Sequence, residues 1–76
     1  MRAAVAQIEI KDWGSDRYEG EVNQDGERHG KGVYSYPWGD RYVGEFRNNW
    51  PNGHGTKTHA DGRVRSGKWE NDRFLG

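Results

Sequence analysis

A repeat limits what this chain can fold into more than any other feature. Tyr18-Glu19-Gly20-Glu21 recurs as Tyr42-Val43-Gly44-Glu45, 24 residues on, and in weaker form as Arg65-Ser66-Gly67-Lys68, 23 residues after that. A fixed period of this length marks a single supersecondary unit, stacked so that each copy buries what it could not bury alone. Seventy-six residues hold at most one such domain, of a size that buries only about 60% of its unfolded surface. There is no cysteine, so neither disulfides nor thiolate metal sites staple the fold, and the redox compartment is not indicated.

Within each copy the periodicity is two, the signature of strands. From Val5 to Lys11 apolar and polar residues alternate, cleanly from Ile8 and Ile10 onward, before Asp12-Trp13-Gly14-Ser15-Asp16 turns the chain. Arg17 to Asn23 follows, with Tyr18, Gly20 and Val22 on one face and Glu19 and Glu21 on the other. After a polar loop, Gln24 to Gly30, Lys31 to Tyr36 returns as a β-branched and aromatic strand that Pro37 ends. Trp38-Gly39-Asp40 turns again. Arg41 to Arg47 then repeats the opening strand with Tyr42, Gly44 and Phe46 on one face. Asn48 to Gly53 reads as the matching long loop and Gly55 to Ala60 as the matching return strand, with Lys57 and His59 in the places of Tyr34 and Tyr36. Asp61-Gly62 reads as a two-residue hairpin turn leading into Val64 to Glu70, which ends near Trp69.

The expected fold is therefore all-β: a single-layer antiparallel meander of about six short strands, with no capped apolar stripe to signal a helix. Residues 1–76 form one module, divided into a lead-in (1–4), a partial repeat (5–17), a first repeat (18–41), a second (42–64) and a partial third (65–76). The opening and closing strands each lack a partner, and exposed strand edges are templates for pairing.

Only 30% of residues are hydrophobic and mean hydropathy is −1.31, values that by themselves suggest disorder. Four Trp, four Tyr and two Phe argue the other way, because rings supply buried area to a thin, glycine-rich sheet. Twelve basic residues balance twelve acidic ones, so no global field draws the chain to nucleic acid or an anionic membrane. Locally, residues 9–27 carry seven acidic and two basic groups, and residues 54–68 four basic and one acidic. The longest apolar run, Ala3 to Ala6, is far short of the ~20 residues of a membrane-spanning helix and makes no signal peptide. The expected location is cytoplasmic.

The segments YEGEV, HGKGVYSY, WGDRYVGEF, NGHGTKTHADG and RSGKW together resemble the MORN-repeat family (membrane occupation and recognition nexus). Its unit of about 23 residues reads roughly YxGxW, a short loop, HGxGxY and a DG-type turn. The resemblance covers residues 13–76, and residues 5–12 less closely. It implies an elongated, curved ribbon of β-hairpins whose glycines keep mid-strand thin while rings pack from repeat to repeat. It also implies a scaffold role, with attachment at the periphery of a membrane or the cytoskeleton. The chain departs from the pattern at Arg65 and Lys68, at Asn52-Gly53 in place of His-Gly, and before Ile8.

Catalytic chemistry finds little support. His29, His54 and His59 lack the spacing of a metal site, the aspartates fall in turns, and no metal or cofactor is expected. Glu19 and Glu21 share a face by simple alternation, and Ser15, Ser35 and Ser66 have no base beside them. A non-enzymatic interaction module is the leading expectation. It would hold a peptide or helix of a partner protein in an aromatic and glycine groove formed by Tyr18, Gly20, Tyr34, Tyr36, Tyr42, Gly44, Phe46 and Trp69, or join copies of itself through its strand ends, head to tail or as a dimer. Trp13 and Trp38 fall in turns, and Trp50, beside Pro51, has no place in the strand pattern. The alternative is an acidic phospholipid bound by Lys57, Arg63, Arg65 and Lys68. Choline or carbohydrate binding lacks the adjacent Trp-Tyr pairs it would use, and nucleic acid comes last for want of a basic groove.

Overall fold

The computed structural model describes residues 7–76; the expected lead-in (1–4) and the first strand's start at Val5 lie outside the described residues. Seven strands follow one another: β1 (Gln7–Asp12), β2 (Arg17–Val22), β3 (Arg28–Ser35), β4 (Arg41–Arg47), β5 (Trp50–Thr58), β6 (Val64–Glu70) and β7 (Arg73–Phe74). They form one open antiparallel sheet in sequence order, the meander the alternation implies. The two-residue β7 is an addition to the six strands read from the pattern. The sheet is a ribbon of 47 × 30 × 15 Å, thin because it is a single layer.

From β2 onward two kinds of turn join the strands. At one kind, Tyr36 N donates to Asp40 O (2.9 Å) and Gly39 N to Tyr36 O (3.1 Å), closing a three-residue loop with Gly39 at φ +100°. Asn23 to Glu27 and His59 to Arg63 close in the same way. The Asp61-Gly62 pair is thus the end of a three-residue loop and not the two-residue turn expected of it, because Gly62 supplies the left-handed residue that follows a type I turn. The other kind is a true two-residue turn: Asn48 and Asn49 have φ of 48° and 76°, and Asn71 and Asp72 47° and 69°. The long loop expected from Asn48 to Gly53 is accordingly absent, and β5 begins at Trp50.

Proline inside a central strand needs an explanation, since it cannot donate to a ladder. The neighbouring repeat supplies one. Arg28 N, at the place equivalent to Pro51, donates to the Asn49 side chain in the next turn (2.9 Å) and not to the ladder. Proline at that place loses a bond to a turn, and the sheet is intact. The carbonyls are kept: Asn49 N donates to Arg28 O (2.9 Å) and Asp72 N to Pro51 O (3.0 Å), so each turn docks on the preceding return strand.

A line of glycines crosses the sheet, Gly20 opposite Gly32, Gly32 opposite Gly44, Gly44 opposite Gly55 and Gly55 opposite Gly67. The rings of Tyr18 and Tyr42 lie flat across this line. A Cβ on Gly32 would come within 2.6 Å of Tyr18 Cζ, and one on Gly55 within 2.6 Å of Tyr42 Cε2, so a side chain at either place would displace the ring. Lying flat lets each phenol reach past its own strand neighbour. Tyr18 Oη donates to Glu21 O (2.6 Å) and Tyr42 Oη to Glu45 O (2.9 Å), at the points where the ladder shifts register. Glu21 and Glu45 finish the irregularity: their Oε1 atoms accept from Lys31 N and His54 N, both at 2.6 Å. That bond, together with strand alternation, accounts for the Glu19 and Glu21 spacing without acid–base chemistry.

The core is a single file of rings on this face. Phe46 stands edge-on to Tyr18 and Tyr42 (5.1 Å each), Tyr42 edge-on to Trp69 (5.4 Å), and Trp69 against Phe74 (5.0 Å). Val22, Phe46 and Trp69 occupy the same place in successive repeats, and Trp69 Nε1 donates to Gly55 O (3.1 Å).

Candidate functional site

The eight residues expected to line a groove divide into three groups. Tyr18 and Tyr42 are 0% exposed and Phe46 and Trp69 4%, so these rings are the core itself. Gly20 and Gly44 belong to the glycine line beneath them. Tyr34 and Tyr36 remain, half-buried, and they border a cleft of ≈ 320 Å³ with Pro37, Trp38, Phe46 and Pro51.

Alternation along β3 and its turn puts Tyr34, Tyr36 and Trp38 in one row. Tyr34 and Tyr36 lie 4.7 Å apart, and Trp38 stacks on Tyr36 at 5.1 Å with the planes 23° apart. Trp13 continues the row past Tyr34 at 6.1 Å. Trp38 is nevertheless 63% exposed, a large ring held at the mouth of the cleft.

Charged groups frame this row. The Arg28 guanidinium lies 4.8 Å over Tyr34 and donates to Asn49 O through Nη2 (2.7 Å) and Nε (3.2 Å), which occupies it. Tyr34 Oη donates to Asp16 (2.5 Å), and burial together with that bond raises its pKa. Asp72, arriving from the last turn, also lines the cleft, and its carboxylate makes no ion pair among the described residues. Burial pushes the Tyr36 phenol far above its ordinary value, and Asp72 adds to the shift. The cleft thus offers apolar walls, a phenol that stays protonated and a free negative charge. Sequence reasoning missed Arg28, Asp16 and Asp72, which reach the cleft from other strands and turns. The spacing of Tyr34, Tyr36 and Trp38 at alternate positions was the one visible signal.

The four basic residues considered for lipid do not gather at one place. Lys57 and Arg65 face each other across β5 and β6 on the ring face, Lys57 4.7 Å over Tyr36 and Arg65 5.9 Å over Phe74. Lys68 sits opposite His54 on the other face, and Arg63 pairs with Asp61 (2.8 Å) in its own turn. Among the described residues no three His, Cys, Asp or Glu side chains are placed to hold a metal ion, and no helix is long and apolar enough to cross a membrane.

An open, single-layer sheet of stacked hairpins whose accessible features are an aromatic cleft and broad strand faces defines a repeat-built interaction module. The family model for the MORN repeat matches residues 18–41 and 42–62, and the chain belongs to the MORN-repeat family. Repeats of this family are non-enzymatic and generally serve interaction with proteins or membranes. Among curated proteins, none matches the chain.

Proposed function

We propose that the module binds a protein partner by taking a short apolar segment, a peptide or one face of a helix, into the cleft beside Tyr36 and Trp38. The observation that carries this reading is Trp38, stacked on Tyr36 yet mostly exposed beside apolar walls. Exposed aromatic anchors of this kind dominate binding energy at protein interfaces. Arg28 spends Nε and Nη2 on Asn49 O and Asp16 accepts from Tyr34, which leaves Asp72 as the lining carboxylate with no side-chain partner among the described residues, so the segment carries a Lys or Arg next to its apolar residues. Selection from a displayed peptide library tests this: apolar sequences with one basic residue are expected, losing affinity at least about tenfold against Trp38→Ala and several-fold against Asp72→Asn. Peptides that bind Trp38→Ala unchanged would overturn it. The setting we propose is cytoplasmic, at a membrane or the cytoskeleton.

A second reading has its own support. Lys57 and Arg65 are like charges placed directly opposite, an arrangement that destabilises a sheet unless an anion relieves it. An acidic phospholipid headgroup would do so, and the double variant Lys57→Glu, Arg65→Glu should then lose sedimentation with phosphoinositide vesicles. Retained sedimentation would remove this reading. End-to-end joining of copies has less support: the closing strand expected to lack a partner is already paired by β7 at Trp69 and Glu70, and carrying the register from the rest of β6 into β1 of a neighbour sets Lys11 beside Arg65.

A further inference from the structure

The sheet face turned away from the rings is uncovered. A sheet ordinarily buries its apolar side against a second layer. The front face manages this with its own rings, but the back exposes Ile8, Ile10, Val43 and Val64 around a half-buried Val33. We propose that a second copy of the chain covers it, the two ribbons packing back to back about a two-fold axis that runs along the strands between β3 and β4.

The strand pairings decide which residues would meet. One row across the back reads Ile10, Glu19, Val33, Val43, Thr56, Ser66, and the row beside it Ile8, Glu21, Lys31, Glu45, His54, Lys68. The axis lays each row on its own reverse. Val33 then meets Val43 of the second copy, Glu19 meets Thr56, and Ile10 meets Ser66. In the other row Lys31 meets Glu45, Glu21 meets His54, and the stem of Lys68 covers Ile8. Neither row sets like charges together. Lys31 and Glu45 are already opposite each other within one chain, so the two copies form a square of four alternating charges around the axis. A two-fold axis at right angles, lying along the first row, would instead set each Glu19 on its own copy.

Free capacity exists for these contacts. Lys31 makes no ion pair among the described residues, and Glu45 uses only Oε1, on His54. A glycine-floored depression of ≈ 520 Å³ between Val33, Val43, Lys31, Glu45 and His54 leaves room for facing side chains. The ribbon measures 47 × 30 Å across its broad side, ample for the roughly 800 Å² per partner of a standard interface. Facing sheets of this kind pack about 30° from alignment, as sandwiches do, so the contacts beside the axis, Val33 on Val43 and Lys31 on Glu45, set the packing and the outer pairs shift along their strands.

Sedimentation equilibrium of the whole chain tests the proposal. A dimer is expected by about 100 µM. Lys31→Glu alone and Glu45→Lys alone each weaken it at least about tenfold, and an equimolar mixture of the two variants restores it. Glu45→Lys also removes the acceptor for His54 N (2.6 Å), so this variant melts lower and is compared at a temperature where it is fully folded. Val43→Asp, at a residue 47% exposed and therefore tolerated by the fold, also weakens the dimer at least about tenfold. Melts followed by circular dichroism show that each variant is folded. A wild-type monomer at about 500 µM, a dimer indifferent to all three substitutions, or growth beyond two copies would each overturn it.

Discussion

The hairpin β2–β3 closes with a three-residue loop and the hairpin β4–β5 with a two-residue turn, yet they share the tyrosine and glycine skeleton and differ most in what they display. Both fold a tyrosine across paired glycines, donate its hydroxyl to the carbonyl three residues on, and brace the irregular strand with a glutamate. Their return strands diverge: the first ends in Tyr34 and Tyr36, the second in Lys57 and His59. The cleft forms only where the return strand is aromatic. At the corresponding edge of the second hairpin, His59 Nδ1 and the Ala60 amide instead meet Asp40 (3.1 and 2.9 Å) and tie two turns together. The contrast teaches that glycine and tyrosine define the repeat, while two alternate positions at the end of each return strand define its surface.

The severest way to break the shared part is to fill the glycine line. Gly32→Val and Gly55→Val should each cost more than about 3 kcal/mol, enough to unfold a domain of this size, because both displace a fully buried ring. Urea unfolding measures it, and a large cost at one site with none at the other would refute the equivalence of the hairpins. A gentler cut removes only the phenol bonds. Tyr18→Phe and Tyr42→Phe should each lose about 1 kcal/mol by the same measurement.

Alkali probes those phenols without mutation. Burial pushes Tyr18 and Tyr42 up to about 12 from 10.0. A raised folded-state pKa contributes stability that is whole below pH 10 and is lost as pH rises toward 12. Because Tyr34 and Tyr36 are raised as well, absorbance at 295 nm should show all four tyrosines ionising above the ordinary phenol range, Tyr18 and Tyr42 together with unfolding. The smallest effect sharpens the difference between the hairpins. Burial by itself would raise the Asp40 carboxyl, but the Ala60 amide, the Trp38 indole and His59 hold it below its ordinary 3.8. The stability it adds is present above that value and falls away as pH drops through the lower folded-state pKa. Asp40→Asn should flatten the acid limb of a stability profile slightly.

Much of the skeleton was legible because alternation and the Tyr-x-Gly spacing are written locally. The strands at Arg17, Arg41 and Val64 begin where the pattern puts them. Trp50 and Pro51 misled because proline usually ends a strand, and only the neighbouring turn shows that its missing N–H pointed away from the ladder. The division of the rings was hidden for another reason. Which tyrosine is sealed depends on contacts between strands about one repeat apart, such as Phe46 against Tyr18, and so does the arrival of Asp72 at the cleft.

Sequential pairing has a mechanical consequence. Each strand rests chiefly on the two that precede and follow it in the chain. Tension applied to the two ends would load the outermost ladder first, and its hydrogen bonds would open one after another as a zipper does, not together as in shear. The ribbon would then pay out one hairpin at a time at low force, and with each hairpin lost the rings stacked on it would be bared. A ribbon paired in this way yields gradually under load.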